Sequence, residues 1–291
     1  MITAHTIDET RAAVSRARSA GRTIGFVPTM GFLHDGHLSL VRVARKSGAD
    51  FIVVSIFVNP LQFGPNEDFE KYPRDEKRDR ALLEAEGVDL LFRPAVEVMV
   101  PPGAMTRVIV SEVSEPLEGD RRPGHFIGVA TVVMKLFDIV QPDLAVFGRK
   151  DAQQCSVIER MVRDLDIPVR LVFGETVREH DGLAMASRNN YLSLEQRALA
   201  PALHRALSAG ADAIRHGIHD LGEIEKLMHK MAAETRGVEV DYLAVVDPLT
   251  FHPPDDFHRD VLVVGAVRIG KTRLIDNIRI PKSAIPHAHI E

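Results

Sequence analysis

The sequence predicts an α/β protein whose main domain contains a mostly parallel, doubly wound sheet. Over residues 1–175, short apolar runs rich in Ile, Val and Phe alternate with helix-like stretches, the pattern of strand–helix–strand units. The runs are apolar at almost every position, as expected of strands covered by helices on both faces. We therefore expect a Rossmann-like sheet that binds its ligands at the carboxyl ends of its strands.

After residue 180 the pattern changes to two helices followed by strands, which predicts a smaller α+β domain. We place the boundary near residue 180, giving a nucleotide- and substrate-binding domain over 1–180 and a smaller, lid-like domain over 181–291. A chain of 291 residues has room for two domains of ordinary size.

Composition narrows the class of protein. The chain is 45% hydrophobic and 26% charged, which is ordinary for a globular protein. Its net charge of −5 gives no basic field for nucleic acid. The single cysteine, Cys155, excludes an internal disulfide framework and fits a reducing compartment. No signal-peptide pattern or apolar run of about 18 residues is present, so we expect a cytoplasmic protein without a membrane partner.

The elements of the main domain follow from apolar runs and the residues that end them. Apolar residues spaced i, i+3, i+4 and i+7 from Val129 to Val140 predict a helix with one apolar face, which Pro142 ends. Charged and amphipathic patterns predict two further helices, Arg74–Glu86 and Asp151–Leu165. The predicted strands are Thr23–Thr29, Phe51–Val58, Val88–Phe92, Leu144–Phe147 and Val169–Phe173.

The same criteria divide the second domain. We expect two helices, Leu194–Gly217 and Leu221–Thr235. The tail Pro281–Glu291, which carries His287-Ala288-His289, is expected to be frayed, as chain ends usually are. The predicted strands are Val238–Val246, Val261–Val267 and Arg273–Ile278.

The most informative segment is Phe26–His37, in which a strand reaches a proline, turns at Gly31 and arrives at His34 and His37. A helix begins there, and a helix N-terminus offers free N–H groups and a positive dipole end to an anion. The histidines could instead cap the helix, lie on the surface or ligate a metal. Zinc normally takes three or four protein ligands, so two histidines alone do not make such a site. We favour donors that stabilise a transferring phosphoryl group.

A second cluster, Asn59 and Gln62, follows the next strand. Neutral amides carry both donors and acceptors, which suits a polar, carboxylate-bearing substrate. The alternative is an Asn-Pro turn with Gln62 in solvent.

Two further clusters carry cations. Lys150 follows a strand and can act as a point charge on phosphate, while Asp151 either holds Mg²⁺ or, as we prefer, caps a helix. Ser187 and Arg188 can grip phosphates, or they belong to a polar interdomain loop in which Ser193 caps the next helix.

Three other residues are assigned to structure rather than chemistry. We expect Arg122 to lie in a solvated loop and Asp79 on a solvated helix face, although the first could close over an anion and the second could reach a metal. Cys155 is expected to be buried. No serine or cysteine nucleophile arrangement and no Walker-type lysine loop is present in the sequence.

Together these motifs resemble the pantoate–β-alanine ligase family, enzymes of nucleotidyltransferase type with a His-x-Gly-His signature, over nearly the whole chain. That signature alone is widely shared, whereas the amide, lysine and Ser-Arg-Asn motifs together are specific. The segments that carry the resemblance are Pro28–Gly31, His34–His37, Phe57–Pro60, Gln62-Phe63, Arg122–Phe126, Gly128-Val129, Phe147–Asp151, Gln153-Gln154, Asp181–Met185, Ser187–Asn189 and Arg273–Asn277.

The resemblance implies ATP-driven amide formation between pantoate and β-alanine through pantoyl adenylate, with release of AMP and pyrophosphate. Mg²⁺ and a homodimer are implied as well, without metal ligands that the sequence identifies. His37 is implied as the acid. His34, Lys150 and Arg188 would help it to neutralise phosphate charge.

The implied binding residues cover both substrates. Gln62 and Gln154 would bind pantoate, with Gln62 also near β-alanine, and Asn59 stands beside them in the amide cluster. Val177 would contact adenine. The family commonly has serine where this chain has Ala186, so one hydroxyl contact is missing. The implied ATP-binding residues are Met30, Gly31, Phe32, Leu33, His34, Asp35, Gly36, His37, Gly148, Arg149, Lys150, Asp151, Val177, Met185, Ala186, Ser187 and Arg188.

Two other functions are weighed against this one. A nucleotidyltransferase acting on another small acceptor would use the same histidines, but a phosphorylated acceptor fits the neutral amides less well. A nucleotide-sensing module without turnover would not need Lys150 and paired histidines at the phosphates.

Overall fold

The computed structural model describes residues 1–65 and 67–286. Within them, the N-terminal part forms a six-stranded parallel sheet in the order β1-β4-β3-β2-β5-β6. Its strands are β1 (Ile2–Ala4), β2 (Ile24–Thr29), β3 (Phe51–Ile56), β4 (Leu90–Phe92), β5 (Leu144–Gly148) and β6 (Arg170–Gly174). Its helices are α1 (Ile7–Ser19), α2 (Asp35–Lys46), α3 (Glu76–Ala85), α4 (Val96–Met99), α5 (Glu118–Arg121), α6 (His125–Val140) and α7 (Ala152–Asp164).

The strand order confirms the predicted doubly wound sheet. From β2 the chain moves outward on one side through β3 and β4, where β1 forms the edge, and then returns to the other side of β2 with β5 and β6. The switch point therefore lies between β2 and β5, where Gly25 pairs with Leu144 and Phe26 with Ala145. Ligands of such sheets bind beyond the carboxyl ends of the strands at this point. The segment with the paired histidines follows β2 directly.

The second predicted architecture is also confirmed, as a three-stranded antiparallel sheet in the order β7-β8-β9 packed with helices. Ser193 caps the first of these helices, as predicted. The elements are α8 (Leu194–Leu199), α9 (Ala202–Arg215), α10 (Leu221–Ala233), β7 (Glu239–Val246), β8 (Val261–Ile269) and β9 (Thr272–Ile280).

Packing divides the chain into two compact units. The first comprises Met1–Arg149 and Gln154–Glu175, and the second comprises Lys150–Gln153 and the chain from Thr176 onward. The short segment that contains Lys150 thus packs with the C-terminal unit, although it follows a strand of the parallel sheet. The limits predicted from sequence, 1–180 and 181–291, stay a proposal for the domains.

Two predictions of local structure are wrong. The helix expected over Leu194–Gly217 is two helices, because Pro201 lacks an N–H group and interrupts the hydrogen-bond ladder. The tail is not frayed as far as the structure describes it, because Ile285 is buried in the core of the C-terminal unit. The His287-Ala288-His289 part of that prediction lies outside the described residues.

The sequence reasoning also missed β1 and α1. A three-residue strand is too short to show a period, and it forms only by pairing with β4. The start of α1 did have a local signal, the capping box of Thr6 and Glu9. No helix in residues 1–65 or 67–286 is long and apolar enough to span a membrane.

Candidate active site

The segment that joins β2 to α2, which we call the phosphate loop (Met30–His34), has a backbone that few sequences can adopt. Gly31 has φ +82° and Phe32 has φ +49°, both in the left-handed region. A Cβ atom on Gly31 would lie 2.9 Å from the side chain of Ile56 and 3.1 Å from Asp79 Oδ2. Glycine is therefore required at this position, and Phe32 must be held in its conformation by its surroundings.

Asp79 on α3 supplies that hold. Its Oδ2 accepts the N–H of Phe32 at 2.7 Å, and its Oδ1 accepts the N–H of Leu33 at 2.7 Å. Arg78 Nη1 donates to the carbonyl of Leu33 at 2.8 Å, and its guanidinium lies 5.5 Å from the centre of the Phe32 ring. Two adjacent residues of one helix thus fix the loop backbone.

The environment of Asp79 differs from the prediction of a solvated helix face, since the residue is only 2% exposed. Burial raises the pKa of Asp79, and the two backbone N–H groups act against that rise. Both carboxylate oxygens are engaged by the loop, so the structure shows a loop-holding residue. The alternative that Asp79 reaches a metal has no support in this geometry.

His34 and His37 come together at the start of α2. Their ring centres are 4.0 Å apart, and the N–H of His34 donates to His37 Nδ1 at 3.3 Å. Because Nδ1 accepts this bond, the neutral ring of His37 carries its proton on Nε2. His37 therefore presents an N–H donor on the far side of its ring, as a phosphate-binding histidine requires.

The amide cluster lies beside the phosphate loop, in a 3₁₀ turn (Pro60–Gln62) that follows β3. Asn59 begins the turn and is buried: its Oδ1 accepts the N–H of Leu61, and its Nδ2 donates to Gln62 Oε1 at 3.0 Å. Gln62 Nε2 in turn donates to Met30 Sδ at 3.1 Å. The predicted Asn-Pro turn is present, and its Gln62 points to the loop rather than into solvent.

Helix α6 supports this turn at close range. A Cβ atom on Gly128 would lie 2.2 Å from the carbonyl oxygen of Leu61, so only glycine allows the approach. The carbonyl of Gly128 also accepts Asn59 Nδ2 at 3.0 Å. His125 Nδ1 donates to the carbonyl of Gln62 at 2.8 Å, which fixes the backbone of that residue.

Arg122 completes the support. Its guanidinium binds Glu67 through two bonds, 2.6 and 2.8 Å, and its Nη1 lies 3.1 Å from His125 Nε2. The prediction of a solvated loop is therefore wrong for Arg122, which is partly buried in an ion pair. Burial, followed by the charge of Arg122, lowers the pKa of His125 to about 4. The histidine is neutral at pH 7, with Nδ1 as donor and Nε2 as acceptor.

The C-terminal unit holds the remaining predicted residues. The Lys150 carbonyl accepts Asn277 Nδ2 at 2.9 Å, and the Lys150 ammonium lies 3.4 Å from Asp151. Val177 and Met185 face each other across a hairpin, where the N–H of Met185 donates to the carbonyl of Val177 at 2.9 Å. A 3₁₀ turn (Ser187–Tyr191), which contains Arg188, follows directly.

The structure thus brings the predicted residues together in groups. His34 pairs with His37, and Asn59 and Gln62 join Met30. Gln154 is half-buried on α7 in the N-terminal unit, and Cys155 beside it is buried, as predicted. Sequence reasoning missed Arg78, placed Asp79 and Arg122 in solvated positions, and named His125 only as part of the Arg122–Phe126 motif, although all four support the site. The backbone groups and side chains that these residues bind lie far away along the chain. The sequence pattern around each supporting residue therefore does not reveal its role.

A doubly wound parallel sheet with paired histidines at the helix N-terminus after its central strand defines a nucleotide-binding α/β enzyme. The family model described as pantoate-beta-alanine ligase matches residues 2–279. The chain belongs to the pantoate–β-alanine ligase family.

Individual relatives agree with the family. A pantothenate synthetase of Moorella thermoacetica is 52% identical over 273 residues, which cover 94% of this chain and 96% of that protein. The crystal structure of pantothenate synthetase from Thermus thermophilus matches with a TM-score of 0.91 at 49% identity, covering 98% of this chain and 100% of that one. Pantoate-beta-alanine ligase from Francisella tularensis, crystallised with beta-gamma ATP and beta-alanine, has a TM-score of 0.77 at 34% identity, covering 97% and 98%.

The neutral state of His125 predicts a specific pH dependence of stability. Its pKa is about 4 in the folded chain and about 6.5 when unfolded, so the unfolded chain binds more protons between these values. The stability that comes from keeping His125 neutral is therefore fully present above pH 6.5, and it is lost as the pH falls toward 4. We expect the free energy of unfolding of the wild type to drop by roughly 3 kcal/mol more than that of His125→Gln over this interval.

Urea denaturation at a series of pH values measures this difference. His216→Gln, which changes an exposed histidine, is the matched control and should follow the wild type. Equal pH slopes for wild type and His125→Gln would show that His125 is not held neutral.

Proposed function

We propose that this chain joins pantoate to β-alanine by forming pantoyl adenylate at the phosphate loop and aminolysing it at the adjoining amide cluster. One observation carries the proposal: Gln62 Nε2 donates a hydrogen bond to Met30 Sδ. The amide that is proposed to bind pantoate therefore lies beside the loop that is proposed to bind ATP. An enzyme that transfers adenylate to a carboxylate needs both groups side by side. The family of the chain and the ligands named for the Francisella tularensis structure support the same reaction.

ATP is the proposed first substrate. Met30–His37 is proposed to bind its phosphates through the N-terminus of α2, and Gly148–Asp151 provides a second nucleotide segment. Val177 is proposed to contact adenine, with Met185–Arg188 at the phosphates. Since Ala186 lacks a hydroxyl, Ser187 and Arg188 take the larger share of that contact.

The proposed chemistry requires no protein nucleophile. The pantoate carboxylate attacks the α-phosphorus of ATP in line, and pyrophosphate leaves with the electron pair of the broken P–O bond. His37 Nε2–H, His34, Lys150 and Arg188 stabilise the charge that develops on the phosphates. The β-alanine amine then attacks the acyl carbon, AMP leaves, and the amine loses its proton as the amide forms.

The proposed pantoate site consists of Gln62 and Gln154, with Gln62 also near β-alanine. The Asn59 side chain is buried and bonded to three protein groups, so we propose that it acts through Gln62. It fixes Gln62 Oε1, which leaves Nε2 to exchange its weak thioether acceptor for an oxygen of the substrate.

Mg²⁺ is proposed to arrive with ATP rather than in a protein cage. Within residues 1–65 and 67–286, no three His, Cys, Asp or Glu side chains are grouped so that they could hold a metal ion. Mg²⁺ commonly binds nucleotide phosphates and keeps several waters, so such a cage is not required. We also propose a cytoplasmic location, which fits the single, buried cysteine.

Substitution of His37 tests the mechanism. His37→Ala removes the Nε2–H donor, and loss of one such donor typically lowers the rate ~10²–10³-fold. We expect that fall in AMP and pyrophosphate production from Mg-ATP, pantoate and β-alanine, in a variant that still folds but melts at a slightly lower temperature because the His34 N–H loses its acceptor. His252→Ala, on an exposed loop of the C-terminal unit, should keep the wild-type rate.

The wild-type assay separates the candidate functions. Product formation must depend on both pantoate and β-alanine. AMP release without either co-substrate would contradict the ligase, and a wild-type rate for His37→Ala would remove His37 from the mechanism.

We further propose that two copies of the chain associate through the segment 104–111. Met105 is 91% exposed and Ile109 66% exposed in this segment, which is neither helix nor strand, and exposed large apolar side chains are candidates for a contact surface. Sedimentation velocity should give twice the mass of one chain for the wild type and one chain for Ile109→Glu. Leu194 is 88% exposed but lies elsewhere, so Leu194→Glu should remain dimeric. A monomeric wild type would contradict this proposal.

A further inference from the structure

Asp276 and Asn277 are both buried, although they are consecutive residues of strand β9. Asp276 is 5% exposed and Asn277 7% exposed, whereas one of two neighbouring strand residues usually faces outward. β9 is an edge strand of the three-stranded sheet. Two buried polar side chains at a sheet edge require partners for every polar group.

Asp276 finds its partner in Arg178. Arg178 Nη1 donates to Asp276 Oδ2 at 2.6 Å and Nη2 to Oδ1 at 3.0 Å, and His204 Nδ1 lies 3.6 Å from Oδ2. Although burial raises it, the proximity of His204 and the bonds from Arg178 leave the pKa of Asp276 below its ordinary value. The carboxylate is therefore ionised and bound at both oxygens.

Arg178 carries this connection into the hairpin. The same guanidinium donates to the carbonyls of Gly182 and Asn277, each at 3.1 Å. The backbone of Arg178 pairs with Ala184 in an antiparallel bridge. Its neighbour Val177 is the proposed adenine contact, so Asp276 fixes the hairpin that carries that contact.

Asn277 makes a second connection of the same kind. Its Nδ2 donates to the carbonyl of Lys150 at 2.9 Å, and its own N–H donates to Asp276 Oδ1 at 2.8 Å. Lys150 belongs to the segment that packs with the C-terminal unit. One dipeptide therefore holds the backbone at Lys150 and, through Arg178, at Val177.

We propose that Asp276 and Asn277 are positioning residues for ATP, which set the distance between the Lys150 segment and the adenine-binding hairpin. The inference rests on the proposed function, since it takes Lys150 and Val177 as nucleotide contacts. A buried ion pair adds little net stability compared with apolar residues of the same size. Its bonds to two separate backbone segments instead impose one geometry on both.

The Asn277→Ala variant is the first test, because it removes the donor to Lys150 and leaves the Asp276–Arg178 pair intact. Loss of one hydrogen bond of this kind corresponds to a ~3–10-fold weaker equilibrium. We expect the Kd for ATP without pantoate, measured by titration calorimetry, to rise by that factor, with the KM for ATP rising in parallel. The KM for β-alanine should stay within twofold. Asn277→Asp places a carboxylate oxygen against the Lys150 carbonyl oxygen, so that two acceptors face each other. This variant should raise the Kd for ATP further.

Arg279→Gln is the matched control on the same strand. It breaks an exposed ion pair with Asp260 and should leave ATP binding unchanged. The melting temperature of every variant separates positioning from folding. A purely structural role would lower the melting temperature of Asn277→Ala without changing the Kd for ATP, and that result would overturn the inference.

The test also distinguishes this inference from the function on which it rests. If the wild type forms pantothenate but Asn277→Ala binds ATP like the wild type, only the positioning role fails. If the wild type binds ATP and forms no AMP with both co-substrates, the ligase function fails, and the altered Kd of Asn277→Ala still supports positioning. If the wild type binds no ATP, both are overturned.

Discussion

The buried carboxylate of Asp79 is the interaction on which the proposed site depends. The chain leaves β2 through two left-handed residues, Gly31 and Phe32, and reaches a helix N-terminus within a few residues. Such a backbone is unfavourable for Phe32 unless its surroundings impose it. Two charge-assisted bonds of 2.7 Å from the loop to Asp79 do so. The position of His37, and the bond that sets its tautomer, follow from the path of this loop.

Both units hold the backbone of a proposed contact segment with side chains from elsewhere in the same unit. In each, partly or fully buried side chains bond to the backbone of a segment that is proposed to contact substrate. His125 holds the carbonyl of Gln62 in the N-terminal unit, and Asn277 holds that of Lys150 in the C-terminal unit. Arg122 in turn bonds to the ring of His125, and Arg178 bonds to the carbonyl of Asn277. Positioning of this kind can account for catalysis by orientation and electrostatics without a protein nucleophile.

The sequence predicts the fold well because its strands and helices have local signals, and the proposed contact residues were found from signals of the same local kind. Strand runs with apolar residues at every position indicated the parallel sheet, and a glycine turn before two histidines indicated the phosphate loop. The supporting residues have no such signal. Asp79 lies on a charged helix whose pattern is typical of a solvated one, yet it is buried and bonded to a loop residue 46 positions earlier in the chain. The break before Ala202 does have a local signal in the sequence, because Pro201 has no N–H group to donate.

The rate of adenylate formation in Asp79→Asn tests the central claim most directly. Asparagine keeps the shape but offers one acceptor oxygen, so one of the two loop N–H groups faces an N–H donor. Single-turnover mixing with Mg-ATP and pantoate should show a ~10²-fold slower step, as expected when reacting groups are displaced by about 1 Å. Glu84→Gln, an exposed change on the same helix, should react like the wild type. An Asp79→Asn rate within twofold of the wild type would contradict the account.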